Sequence, residues 1–234
     1  MPTRPLRATV AEPTPLPSAE PGSFSISNEL VTLRPEVSGA AEAMRALRTH
    51  IVAQHVEKGR RALAVCAATA EVGCSVVAAN LAVGLSQIGV KTLLVDANLR
   101  HPHVDRLFVP SEPVEGLAQC LMSDSHSFGD FIETDVLRDL SIMFAGAVPE
   151  NPQELLSTGR FEDLMNFCLR EYQMTILDTP PANNCSDSRR VSTVAGYSLI
   201  VTRRNKTLVN DVKTLIGQLE GERAHVIGTV LTEG

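Results

Sequence analysis

From residue 62 onward the chain alternates between short apolar runs and longer amphipathic stretches. The apolar runs are Ala62–Ala67, Thr92–Ala97, Leu140–Phe144, Met174–Asp178, Ser198–Thr202 and Val226–Leu231. Each is nearly continuous rather than alternating, which predicts a strand buried on both faces. Helical patterns fall between them at Ser75–Gln87, Leu117–Ser123, Phe161–Tyr172, Asp187–Val194 and Leu208–Leu219. A further helix is predicted from about Ala40 to Glu57, after a short extended piece at Leu30–Leu33. Strands alternating with helices in this way predict an α/β fold: a parallel sheet with helices on both faces, three layers in all. Residues 28–234 read as one such domain. Residues 1–27 are rich in Pro, Ala, Thr, Ser and Glu with little to bury, and are expected to be a disordered tail or tether. No internal repeat is visible.

Composition narrows the classes. At 234 residues and 44% hydrophobic the chain is long enough for one sizeable core. A net charge of −6, without a basic stripe, argues against nucleic acid as a partner. The absence of Trp, with aromatics at only 4%, removes the stacking platforms of a single-strand binder. No apolar run is long enough to span a membrane, and the N-terminus lacks the apolar core of a secretory signal. The five cysteines (Cys66, Cys74, Cys120, Cys168 and Cys185) show no CxxC spacing, so reduced thiols are expected rather than disulfides or a zinc site.

The chemistry gathers at the predicted carboxyl ends of the strands, where parallel α/β folds place their ligands. The first strand runs into Ala68-Thr69-Ala70-Glu71-Val72-Gly73-Cys74-Ser75, a frame that resembles a phosphate-binding loop. Such a loop needs backbone N–H groups, a lysine on the β/γ phosphates and a hydroxyl on Mg²⁺. Here Gly73 and Ser75 are present, but Cys74 stands at the lysine position and Glu71 adds a negative charge. The second strand ends in Asp96-Ala97-Asn98-Leu99-Arg100-His101-Pro102, and the run Met174–Asp178 leads into Thr179-Pro180-Pro181. Two strand-end carboxylates beside a loop hydroxyl are the oxygen set of a Mg-nucleotide site. Turn capping is the plainer role for Asp96 and Asp178.

Four stretches together resemble the cytoplasmic domain of the bacterial tyrosine kinases, capsule and exopolysaccharide regulators within the MinD-like P-loop ATPases. Glu42-Ala43-Met44-Arg45-Ala46-Leu47-Arg48 resembles that family's ExxRxxR assembly helix. Asn80–Leu85 through Leu94–Pro102 resembles the helix after the loop and the Walker A′ element. Gly146-Ala147-Val148-Pro149-Glu150-Asn151-Pro152-Gln153-Glu154-Leu155-Leu156 and Leu177-Asp178-Thr179-Pro180-Pro181 with Ser186-Asp187 complete the pattern. The resemblance covers roughly residues 28 to 232.

The resemblance implies a vestigial nucleotide site at Gly73, Cys74, Ser75, Val76, Asp178 and Lys206, with Lys206 near the base. Mg²⁺, if bound at all, would take Ser75, Asp96 and Asp178. No cofactor is expected; Mg-ATP or Mg-ADP would be held only if weak binding persists. The departures from the family pattern lie at its catalytic core. The loop lysine is Cys74, a loop glycine is Glu71, and the second A′ aspartate is Asn98, which cannot serve as a carboxylate base. A positioned charge or hydrogen bond is worth about 3–4 kcal/mol in a transition state. With Asp96, Asn98 and Asp178 as remnants, the site is expected to be catalytically inactive. The family's C-terminal tyrosine cluster has no counterpart, because the only tyrosines are Tyr172 and Tyr197, both read as packing residues.

Glu42, Arg45 and Arg48 fall on one helical face, which is either a solvated charged stripe or, as the resemblance implies, a subunit contact. His101 and His103 read as solvent-facing, Arg189-Arg190 as a helix face, and Arg203-Arg204 as a strand end. The function expected is that of an inactive tyrosine-kinase-like regulator in exopolysaccharide or capsule synthesis. Its expected partner is the cytoplasmic segment of a membrane polysaccharide co-polymerase, within a homo- or hetero-oligomer. The location expected is the cytoplasm, peripheral to the inner membrane through that partner. The alternatives are an active but divergent tyrosine kinase or ATPase and, more weakly, a MinD- or ParA-like positioning factor.

Overall fold

A computed structural model describes residues 24–35, 38–183 and 185–233. In chain order the elements are β1 (Phe24–Ile26), α1 (Gly39–Ile51), β2 (Ala62–Ala67), α2 (Cys74–Ser86), β3 (Thr92–Asp96), α3 (Val104–Leu107), β4 (Phe108–Pro110) and α4 (Leu117–Met122). They continue with β5 (Glu133–Leu137), β6 (Leu140–Met143), α5 (Pro152–Ser157), α6 (Gly159–Glu171), β7 (Met174–Asp178), α7 (Asp187–Ala195), β8 (Tyr197–Arg203), α8 (Val209–Gly221) and β9 (His225–Thr232). The main sheet has the order β5-β6-β3-β7-β2-β8-β9. Every pairing in it is parallel except β5 with β6, which closes one edge antiparallel.

The continuous apolar runs became strands because each feeds two cores. Leu63 and Val65 of β2 pack into one cluster with α2, whereas Ala62 and Ala64 turn to the opposite cluster with Leu156, Phe161, Leu164 and Val191 of α5, α6 and α7. Helix α2 is buried from Val77 to Ser86, roofed by α1 and by the segment before it. Asn80 ties that roof down. Its Oδ1 accepts from the backbone and hydroxyl of Thr32, at 3.1 and 3.0 Å, and its Nδ2 donates to the Glu29 carbonyl at 2.9 Å.

The structure departs from the sequence reading in several places, with α3, β4 and α5 unforeseen and the helix read to Glu57 ending as an α-helix at Ile51. Leu30–Leu33 is not extended: Val31–Leu33 is a 3-10 turn, held against α2 by those Asn80 bonds. Strand β1 lies inside the segment read as tail and pairs antiparallel with β4, from Phe24 opposite Pro110 to Ile26 opposite Phe108. The rest of that tail, residues 1–23, lies outside the described residues. Strand β5 has an outward polar face and so lacks the apolar run that marks the buried strands.

Candidate functional site

The carboxyl ends of β2, β3 and β7 meet at one edge of the sheet. Register sets Asp96 directly beside Asp178 on neighbouring strands, and the loop after β2 curls over them into α2. Gly73 caps α2 at φ 85°, a left-handed conformation that glycine adopts without penalty. Glu71 also sits left-handed, at φ 55°, where a side chain is strained. The loop is tied to the segment after β7 by Asn183 N–H donating to Ala68 O at 3.1 Å, and to β9 by Thr232 Oγ donating to Val72 O at 2.9 Å.

Cys74 does not project where a lysine would meet phosphate. Its thiol turns beneath the loop and donates to the Val65 carbonyl at 3.3 Å. Burial, followed by the neighbouring Asp178 carboxylate, raises the thiol well above its ordinary pKa. It is a neutral filler on a half-buried residue, its thiol turned inward. Val76 packs half-buried against the core and lends its carbonyl to Asn80 at 2.9 Å.

Asp178 is fully buried, and neither carboxylate oxygen has a hydrogen-bond partner among the described residues. Ser75 and Cys74 face it without reaching bonding geometry. Burial first, and Asp96 second, push its pKa up to about 8, so near neutrality it holds a proton. Asp96 is equally buried but engaged. Its Oδ1 accepts from Asn98 N–H at 3.1 Å, and its Oδ2 accepts from His103 and Val104 N–H at 3.0 Å each. Burial raises its pKa to about 6 while those three donors oppose the rise. The capping role weighed for Asp96 is therefore its observed role here. Asn98 continues the same turn, its Oδ1 accepting from His101 N–H at 3.1 Å.

Lys206 does reach the loop, but its contact there is Glu71. Its ammonium donates to the Glu71 carboxylate at 2.6 Å and to the Glu71 carbonyl at 3.4 Å, and Arg203 donates to the same carbonyl at 3.0 Å. Hydrogen bonding to Lys206 is the main reason the Glu71 carboxyl titrates below its usual range. Sequence reasoning missed this pairing, and also the fork of Arg100 onto the buried Asp187 at 2.7 and 3.2 Å, which fastens the turn after β3 to the start of α7. Opposite charges separated by 135 and 87 positions leave no local signal.

The charged stripe on α1 divides. Glu42 and Arg45 pair within the helix at 2.8 Å and are exposed. Arg48 turns inward, its stem against Gly84 and its guanidinium 3.4 Å from the Gly84 carbonyl. Tyr172 is buried under Lys91, and Tyr197 is half-buried under Arg60. Among the described residues, no cluster of three or more His, Cys, Asp or Glu side chains is placed to hold a metal, and no helix is long and apolar enough to cross a membrane.

No family model matches the chain. The tyrosine-protein kinase YwqD of Bacillus subtilis is 34% identical over 167 residues, covering 71% of this chain and 70% of YwqD. The chain belongs to the bacterial tyrosine-protein kinase family. A second member, the putative tyrosine-protein kinase CapB of Staphylococcus aureus, is 28% identical over 84% of this chain and 85% of its own. EpsB of Ralstonia solanacearum, also a putative tyrosine-protein kinase, is 30% identical, but the chain spans only 25% of its length. Among solved structures, the kinase domain of Escherichia coli tyrosine kinase ETK superposes with a TM-score of 0.81 at 28% identity, over 87% of this chain and 79% of that one. The chimerical protein CapA2B2 superposes with a TM-score of 0.80 at 29% identity, over 91% and 94%. The cell division ATPase MinD of Pyrococcus furiosus, at 19% identity and a TM-score of 0.63, shares the fold alone. The family carries the mostly parallel, helix-flanked P-loop fold seen here.

Proposed function

We propose that this chain is a catalytically silent member of its family, a regulator of capsule or exopolysaccharide synthesis. It acts as an assembly partner of the cytoplasmic segment of a membrane polysaccharide co-polymerase. The observation that carries this reading is the pairing of Lys206 and Arg203 with Glu71 over a loop whose Cys74 thiol is turned inward. A polyphosphate approaching the loop meets a carboxylate; Lys206 is bonded to that carboxylate and Arg203 to the Glu71 carbonyl. Asp178 and Ser75 keep oxygens that a small hard cation prefers, but Asp96 is engaged by three backbone donors. These residues do not fit a Mg-triphosphate, and no step of the proposed role passes through one.

Two further points support a partner role. The chain corresponds to only a quarter of EpsB, so the homologous segment there is joined to a much larger remainder. The exposed Glu42–Arg45 pair leaves a charged face on α1, the same face that the family resemblance assigns to assembly.

Calorimetric titration of Mg·ATP and Mg·ADP into the native chain and into a Glu71→Gly/Cys74→Lys/Asn98→Asp variant tests the proposal. No heat from the native chain, with about micromolar binding by the variant, is the expected result. About micromolar binding by the native chain overturns it. A second reading, a divergent kinase using Lys206 as its cation, is favoured by the reach of Lys206 to the loop. Native binding that disappears in Lys206→Ala would establish that reading instead.

A further inference from the structure

At the opposite end of the sheet from the loop, the first residues of β8 and β9 lie side by side, Tyr197 beside His225. Helix α1 ends above them in a π-helical turn, Val52–Val56, a rare geometry often found where a helix serves a site. Between these elements lies a cleft of about 420 Å³, within the range of small-molecule sites.

Its polar lining is one-sided. Arg60 brings a fixed positive charge, His50, His55 and His225 present ring nitrogens, Gln54 and Tyr197 add neutral polar groups, and among the described residues no carboxylate lines it. Arg60 is held in place rather than free. Its guanidinium lies 4.6 Å from the centre of the Tyr197 ring, and one nitrogen donates to the Gln54 carbonyl at 3.3 Å. That leaves most of a planar donor fork without an acidic partner, the geometry that grips carboxylate and phosphate. His55 is 1% exposed, set edge-on to Tyr197 at 5.1 Å, and its Nδ1 has no partner among the described residues. A buried imidazole nitrogen left unpaired is costly, and His55 borders the cleft.

We infer that this cleft binds a small molecule through an anionic oxygen group, a phosphate or a carboxylate, with Arg60 as the charged contact and His50, His225 and Gln54 around it. The inference is independent of what the loop after β2 does.

The full chain supplies its own probes. It has no Trp and only two tyrosines, so in a Tyr172→Phe background the fluorescence reports Tyr197 alone. Inorganic phosphate, glycerol 2-phosphate and citrate are titrated separately at constant ionic strength, with Tyr197 emission and the histidine ring resonances followed together. At least one probe is expected to give saturable changes at His50, His225 and Tyr197 with a Kd of about 1 mM or tighter. Arg60→Gln should weaken that binding about tenfold or more, with Arg60→Lys intermediate. His225→Asn, a substitution on the exposed rim, should weaken it without unfolding the chain. Phosphates alone or citrate alone would identify the anion class. No saturable change with any probe up to about 10 mM, or equal binding by Arg60→Gln and His225→Asn, overturns the inference.

Discussion

The Lys206 ammonium lies 2.6 Å from the Glu71 carboxylate, across the mouth of the loop that follows β2. Glu71 is 83% exposed, so the pair matters less for stability than for where the charge goes. Lys206→Ala should leave the melting temperature nearly unchanged. It should move the Glu71 carboxyl titration upward, toward the ordinary glutamate range, as read by side-chain carbon NMR. An unmoved titration would mean that the contact does not persist in solution.

Asp178 makes a pH-dependent contribution. Its folded pKa, about 8, lies above the unfolded value, so the folded state holds the extra proton. Its contribution is fully present below about pH 4 and is lost as pH rises through 8. Asp178→Asn, neutral at every pH, should therefore stabilise the chain by about 2 kcal/mol at pH 8.5 and by less at pH 5. Urea melts of both proteins at the two pH values check the sign.

His55 works in the opposite sense. Burial, then the positive charges of Arg60, His50 and Lys58, press its pKa down to about 4, while Tyr197 packs its edge from β8. The unfolded chain binds the proton more readily, so stability falls as pH drops from about 6.5 toward 4. His55→Phe should remove about 1–3 kcal/mol of that acid sensitivity. Comparing the two proteins at pH 7.5 and pH 4.5 cancels the contribution of Asp178, which both share.

Cys74 should be inert. Its thiol is bonded beneath the loop and its pKa is raised, as is that of Cys66, which burial pushes up to about 12. Cys74 and Cys185 are both half-buried, but only Cys74 turns its thiol beneath the loop, so in a timed reaction of the folded chain with a disulfide reagent at pH 8 Cys185 should label first. Cys74 should label only at the rate of unfolding. Rapid modification of Cys74 would reopen it as a functional thiol.

The inner strands of the main sheet were legible because burial on both faces writes a continuous apolar run, as in Leu63–Ala67 or Met174–Leu177. β1 and β5 were not. Phe24-Ser25-Ile26 becomes a strand only through pairing with Phe108–Pro110, and β5 keeps a polar outer face. At the site, Gly73, Ser75 and Asp178 could be placed from local order alone. The bond between Lys206 and Glu71 could not, because folding alone brings those residues together. The cleft around Arg60 was hidden for the same reason: its walls come from the end of α1, the start of β8 and the start of β9.

Asp96 carries a consequence for experiment. Its carboxylate anchors the backbone of Asn98, His103 and Val104, so it is a structural pin as well as a strand-end acid. Asp96→Ala would loosen the turn leading into α3 and lower stability whatever the chain does with nucleotide. Loss of a phenotype in that variant would report misfolding as readily as lost chemistry. Substitutions at Cys74 and Asn98, with less of the backbone depending on them, separate the two.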